Sequence, residues 1–259
     1  MGAFFIKHAL RMNAVIDLGN TFGKLAFFEG LELSSVTTGI KVAVMVERLK
    51  KLKPEHVLVC SVTKSVSELD SLFEAVPNAI VLTKDIPIPV INAYATPETL
   101  GYDRLAGATG AHFRFPNQNC LLIDMGTAIK YDFIDAKGIF KGGIISPGMN
   151  MRFKALHTFT KKLPLLNAEG VPNEGVPNLI GDSTVSCMQS GVINGISAEI
   201  NGLIGRYLEQ GSLQIIISGG DSEFFESQIN YPTFAAPNLV LEGLNRILKY
   251  NVEKKNFTK

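Results

Sequence analysis

Three short turns in this 259-residue chain carry the residue types that handle phosphate. Asp17-Leu18-Gly19-Asn20-Thr21 follows an apolar run at 14–16, and Asp124-Met125-Gly126-Thr127 follows one at 121–123. Ser218-Gly219-Gly220-Asp221 follows a third at 215–217. Glycine lets an oxyanion reach backbone N–H groups, and Thr or Asn adds a side-chain donor. A carboxylate at the strand end can hold a cation that bridges phosphates. Taken singly, Asp-x-Gly is ordinary turn chemistry. Two copies after matched strands, Asp17 and Asp124 being 107 residues apart, and a third Gly-Gly-Asp turn make phosphate binding the better account.

The elements that must position these turns follow a repeat. Each Asp turn leads into a returning strand, at 24–28 and 130–134, and then into a turn at Gly30 or Gly138. A period of that size is a domain length and predicts two related domains, 12–116 and 117–259, divided at the polar stretch 115–119. Within the first, Val42, Met45, Val46 and Leu49 share one face of a helix over 42–52. Residues 57–62 and 79–82 read as buried strands, and Pro87 and Pro89 exclude helix at 86–90. Residues 105–113 form a small-residue helix. Within the second, 142–148 joins a strand to a helix reaching about 162, and 167–178 is a loop. Asp182 or Ser183 caps a long helix over 184–210. Gly191, Gly195, Gly202 and Gly205 each cost that helix about 1 kcal/mol relative to Ala, which implies another backbone packed close against it. A last strand at 214–218 and an amphipathic helix at 239–250 close the chain. Alternating strands and helices give an α/β class.

Composition narrows the partners. Apolar residues make up 46% and charged residues 19%, so the chain can build a sizeable core. Twenty-five basic against 24 acidic residues leave a net charge of +1, with no electrostatic reason to expect nucleic acid or an anionic membrane surface. No apolar run reaches the length of a secretory signal or a membrane span. Cys60, Cys120 and Cys187 form no CxxC pair, which argues against zinc and a disulfide framework and fits a reducing, cytoplasmic setting. The first eleven residues read as a frayed extension.

Gly19-Asn20-Thr21-Phe22-Gly23-Lys24 is not a P-loop: its spacing is one residue short, and Leu25 stands where Ser or Thr would hold magnesium. The ordered set of turns instead resembles the acetate and sugar kinase, Hsp70 and actin superfamily, whose two ribonuclease-H-like domains have a cleft between them that clamps ATP. Within it the chain resembles type III pantothenate kinase. The marks are Asp17 to Thr21, Gly101-Tyr102-Asp103-Arg104, Asp124 to Ala128, Gly142-Gly143-Ile144-Ile145-Ser146-Pro147-Gly148, the 184–191 segment and Ser218 to Asp221, in the family's order from about 13 to 248.

That resemblance implies a role at each position. Asp17, Leu18, Gly19, Asn20, Thr21, Phe22, Gly23 and Lys24 would bind ATP phosphates, with Asp17 on Mg2+. Asp103 would be the general base, and Tyr94, Gly101, Tyr102 and Arg104 would shape the pantothenate site. Asp124 would hold a monovalent cation, K+ or NH4+, and Thr127 would contact phosphate. Gly219 and Gly220 would lie against adenosine, and Thr184 would reach pantothenate from the neighbouring subunit of an obligate homodimer. The chemistry is coherent, since a carboxylate aimed at an alcohol can take its proton as phosphorus is attacked. A fixed guanidinium can hold an anionic group. The implied activity is ATP-dependent phosphorylation of pantothenate to 4'-phosphopantothenate, the first step toward coenzyme A. The alternatives are another small-molecule kinase on this scaffold, or a transcription accessory factor. Ile129-Lys130 departs from the family pattern, which commonly has another small hydroxyl residue there; the departure removes none of these roles but bears on the phosphate or cation contacts.

Overall fold

The computed structural model describes residues 12–19, 23–167 and 176–257, the last three by backbone alone. The first eleven residues, Asn20 to Phe22 and most of the loop expected at 167–178 lie outside them. The chain divides into two compact units: one holds the described residues of 1–90, 96–110 and 240–259, the other 91–95 and 111–239.

The first unit is a five-stranded sheet. Strands β1 (Met12–Leu18), β2 (Gly23–Glu29) and β3 (Glu32–Thr38) run antiparallel, while β4 (His56–Ser61) and β5 (Ala79–Val81) extend it parallel to β1, in the order β3-β2-β1-β4-β5. Side chains alternate across the pleat, so successive residues of β1 face different cores. Ala14 and Ile16 pack with Met45 and Leu49 of α1 (Val42–Leu52) and Leu69 of α2 (Val66–Phe73). Val15, with Ala26 and Phe28, packs with Ala106 of α3 (Tyr102–Arg114) and with Leu241, Leu244 and Ile247 of α7 (Leu239–Phe257).

The closing helix therefore belongs with the N-terminal sheet, and the units do not follow a single cut after residue 116. Its apolar stripe is the reason: Leu241, Leu244, Ile247 and Leu248 are buried on the side of the first sheet that α1 and α2 leave uncovered. A methyl group on Gly243 would fall 1.7 Å from the Ala106 carbonyl oxygen, so α7 and α3 touch backbone to backbone.

The second unit repeats the plan. Strands β7 (Cys120–Met125), β8 (Ala128–Ile134) and β9 (Ile139–Pro147) are antiparallel, and β10 (Gln214–Ser218) and β11 (Phe234–Ala235) run parallel to β7. A two-residue edge strand, β6 (Ile91–Asn92), is added beside β9, giving the order β11-β10-β7-β8-β9-β6. The 9-8-7-10-11 core matches 3-2-1-4-5 of the first sheet, so the repeat in sequence is a repeat in topology, each copy ribonuclease-H-like. Helix α4 (Met149–Thr158) ends four residues earlier than expected. Helix α5 (Thr184–Leu208) is capped by Ser183, whose hydroxyl accepts from the Ser186 N–H. A short α6 (Ser222–Glu226) follows β10, and β11 comes after the strand that was read as the last.

Among the described residues the α5 glycines meet no other backbone. A methyl group on Gly191 or Gly202 would meet nothing described within 4 Å, one on Gly195 would lie 3.9 Å from the Arg152 guanidinium, and one on Gly205 would lie 3.1 Å from the Tyr231 hydroxyl. Helix α5 is instead tied to the sheet by a polar bridge. Glu199 accepts from the Tyr131 hydroxyl at 2.9 Å and the Ser146 hydroxyl at 3.0 Å, and is ion-paired with Arg152. The Arg152 Nε donates to the Pro147 carbonyl at 2.8 Å. Burial, then the adjacent Glu199 charge, pushes the Tyr131 phenol well above its ordinary range, so it donates as the neutral group. Arg152→Met keeps the packing stem but leaves Glu199 without its cation and the Pro147 carbonyl without the Arg152 donor. It should lower stability by about 2–3 kcal/mol, read by chemical denaturation. A loss below about 0.5 kcal/mol would show the bridge to be a surface contact.

Candidate functional site

In the first unit the strand ends β1 and β4 lie side by side. Asp17, 9% exposed at the penultimate position of β1, stands in register with Lys24 of β2 and Cys60 of β4. Leu18 and Gly19 lead into the part of the turn that lies outside the described residues. Gly23 closes the turn through packing, since a methyl group there would come within 2.5 Å of the Met45 side chain. Beyond β4 the Ser61 hydroxyl accepts from the N–H groups of Thr63 and Lys64 at 3.2 and 3.1 Å, and the Val62 N–H donates to the Leu18 carbonyl. This hydroxyl-bearing turn beside Asp17 has no mark in the sequence, where Ser61-Val62 reads as the end of a buried strand.

The same end of β4 approaches the start of α3. A methyl group on Gly101 would lie 2.4 Å from Asp103 Oδ1 and 3.8 Å from the Val62 side chain. The Asp103 carboxylate thus curls back over Gly101 at the first turn of its helix, where the helix dipole favours an anion. Arg104 is 6% exposed. Tyr102 packs on the sheet core; burial, then the Asp85 charge, raises its phenol above the ordinary range. Asp17, Lys24, Gly101, Tyr102, Asp103 and Arg104 accordingly share one unit.

In the second unit three turns converge. The Gly219 backbone has φ +93, a conformation that favours glycine, and a methyl group there would fall 2.2 Å from the Met125 carbonyl oxygen. The Asp221 N–H donates to that carbonyl at 3.0 Å. From β9, the Gly148 N–H donates to the Thr127 carbonyl at 3.1 Å, and a methyl group on Gly148 would meet the Gly126 oxygen at 2.2 Å. The Gly126-Thr127 turn is therefore held from both sides, while Gly220 faces open space. Burial raises the Asp221 carboxyl above the usual carboxylate range.

Asp124 is ion-paired within the hairpin. It stands directly across the β7–β8 ladder from Lys130, whose ammonium lies 2.7 Å from Oδ2. Among the described residues no group of three or more His, Cys, Asp or Glu side chains is placed to hold a metal ion. Tyr94 belongs to this unit; its ring lies over Gly142, where a methyl group would come within 2.9 Å of it. Thr184 begins α5 and is exposed. It lines an open groove of about 1130 Å³ with Arg152, Leu156, Phe159, Met188 and Gly191. Arg152 and Glu199 gave no sequence signal, being single charges on helices.

Comparisons with known proteins give the family and the fold. A family model described as type III pantothenate kinase matches residues 14–206. A type III pantothenate kinase from Cytophaga hutchinsonii is 41% identical over 242 residues, covering 93% of this chain and 100% of the relative. One from Phocaeicola vulgatus is 42% identical over 247 residues, covering 93% and 99%. Among solved structures, one described as a Baf family transcriptional activator from Campylobacter jejuni superposes with a TM-score of 0.60 at 20% identity, covering 93% of this chain and 99% of that one. A glucokinase from an Antarctic psychrotroph gives a TM-score of 0.51 at 12% identity, covering 93% and 99%. At these identities the two structures show the fold alone, that of the actin-like ATPases and sugar kinases. No described helix is long and apolar enough to cross a membrane.

The contact between Gly101 and Asp103 makes a direct prediction. Gly101→Ala must displace the carboxylate, and a misplacement near 1 Å costs a reacting group about 10²-fold. Turnover should fall to that extent while the melting temperature changes little. Native turnover in a folded Gly101→Ala protein would mean that the position of this carboxylate is immaterial.

Proposed function

The chain belongs to the type III pantothenate kinase family, and from that premise we propose how its residues divide the work. The reaction moves the γ-phosphoryl group of ATP to the primary hydroxyl of pantothenate, giving 4'-phosphopantothenate on the way to coenzyme A. We place it in the cytoplasm.

The observation that carries the assignment of roles is the Asp103 carboxylate, set at a helix start in the space that the absent side chain of Gly101 leaves open. Asp103 takes the proton of the pantothenate hydroxyl as it attacks phosphorus, which typically contributes about 10²–10⁴-fold. Arg104, planar and permanently charged, binds the pantothenate carboxylate, with Tyr102 shaping the site. Backbone N–H groups of the Asp17–Lys24 and Gly126–Thr127 turns receive the phosphates. Gly219 and the open face of Gly220 receive adenosine. Magnesium takes one or two carboxylates and completes its shell with phosphate and water, and Asp17 at a strand end is a donor of that kind. When bound, the ion neutralises phosphate charge. At Asp124 the positive charge is already present on Lys130.

The active form is a homodimer. Along α5, Thr184, Cys187, Gly191, Ala198 and Gly202 form an exposed stripe of small residues, and two of its glycines face open space. Phe159, Leu179 and Ile180 beside it are 86%, 81% and 86% exposed. A second copy laid along this stripe accounts for both features and for Thr184 completing the partner's pantothenate site.

Two linked measurements test the proposal. In a panel of small alcohols with ATP, pantothenate should give by far the highest kcat/KM. Asp103→Asn and Thr184→Ala, each impaired alone, should recover activity when mixed and allowed to exchange subunits. A mixed dimer carries one intact site, so about one site in four becomes native. No recovery despite demonstrated exchange would place Thr184 in its own subunit's site, and a different preferred alcohol would overturn the substrate.

A further inference from the structure

The Asp124–Lys130 pair is built into the phosphate hairpin. Asp124 precedes the Gly126-Thr127 turn, Lys130 follows it, and the ladder pairs them directly, which brings their Cβ atoms to about 4.5–5.5 Å. Their neighbours fix which way they point. Ile123 and Met125 of β7, with Ile129 and Tyr131 of β8, all lie in the core beneath α4 and α5. Asp124 and Lys130 alternate with them and share the opposite face. The pair is largely sheltered, with side-chain exposures of 17% and 20%. It is a register-locked contact, unlike a surface ion pair between two long, mobile side chains.

An ammonium nitrogen 2.7 Å from a carboxylate oxygen fills the space that a potassium or ammonium ion bound to that oxygen would fill. A second cation there would meet the lysine charge at close range with little water to screen it. A small hydroxyl residue at position 130 would leave the carboxylate open to an ion from solution; a lysine does not.

We propose that the Lys130 ammonium is a tethered monovalent cation, supplying at Asp124 the charge that would otherwise come from potassium or ammonium, so that nucleotide binding and turnover need neither ion. The inference rests on reading the Thr127 turn as a phosphate contact. Lys130 is a positioning residue: its charge holds Asp124 and offsets phosphate charge at the turn that both residues flank.

The test compares the wild-type protein with Lys130→Thr and Lys130→Gln in potassium, ammonium or tetramethylammonium chloride at fixed ionic strength and fixed magnesium. Binding of the non-hydrolysable analogue β,γ-imido-ATP is measured by calorimetry, and pantothenate phosphorylation in parallel. Wild-type affinity and turnover should be the same in all three salts. Lys130→Thr should bind the analogue about 10-fold or more weakly in tetramethylammonium, the loss expected for one charged hydrogen bond, and regain affinity saturably with potassium or ammonium. Lys130→Gln, which keeps much of the stem without the charge, should lose affinity in every salt. A wild-type protein that itself needs potassium would overturn the proposal, as would a Lys130→Thr protein as tight as wild type in tetramethylammonium. If the wild type bound the analogue yet phosphorylated no pantothenate in any salt, the pantothenate assignment would fail, while the calorimetry would still decide the role of Lys130.

Discussion

Two missing Cβ atoms set the geometry of the second unit. Gly148 and Gly219 each place backbone where a methyl group would sit 2.2 Å from a carbonyl oxygen of the Met125–Gly126 segment. Three strand ends, those of β7, β9 and β10, can meet at one turn only because of this. The carbonyls of Met125 and Thr127 are occupied by the N–H groups of Asp221 and Gly148. Any side chain at either glycine would have to push the turns apart.

The surrounding packing keeps that junction rigid. Ile123, Met125, Ile129 and Tyr131 are buried beneath α4 and α5, and the Tyr131–Glu199–Arg152 bridge ties helix α5 to the Pro147 carbonyl next to Gly148. A positioned phosphate contact depends on such preorganisation, because a binding turn that must order itself loses part of its binding energy to entropy. The first unit solves the corresponding problem differently. There the Asp103 carboxylate occupies the space that a side chain at position 101 would fill, and the Asp17 strand is locked between β2 and β4.

Much of this was legible in the sequence, because the repeat of apolar strand, Asp-x-Gly turn and returning strand is a local pattern. Helix 42–52 and the strands at 57–62, 79–82 and 214–218 came from periodicity and turn residues, and the structure places each within a residue or two. Strand β3, Glu-Leu-Ser-Ser-Val-Thr-Thr, escaped because it is a mostly exposed edge with no buried residue to set a rhythm. The sites of close backbone approach were misjudged: glycines in α5 face open space or side chains, whereas Gly243 meets α3. A composition pattern says that space is needed and not what fills it. The same limit explains the pairing of closing helix with opening sheet, and Lys130 with Asp124. Both residues of that pair were visible, but only the ladder register sets them face to face.

The account stands on Asp103 as the group that accepts the pantothenate proton. The most direct measurement is kcat for Asp103→Asn beside the pantothenate dissociation constant of the same protein. The amide keeps the size of the side chain and can still hydrogen-bond the hydroxyl, but it cannot take the proton. Turnover should fall by about 10²–10⁴-fold, with the dissociation constant nearly unchanged. A folded Asp103→Asn protein that binds pantothenate normally and turns over at the native rate would contradict it.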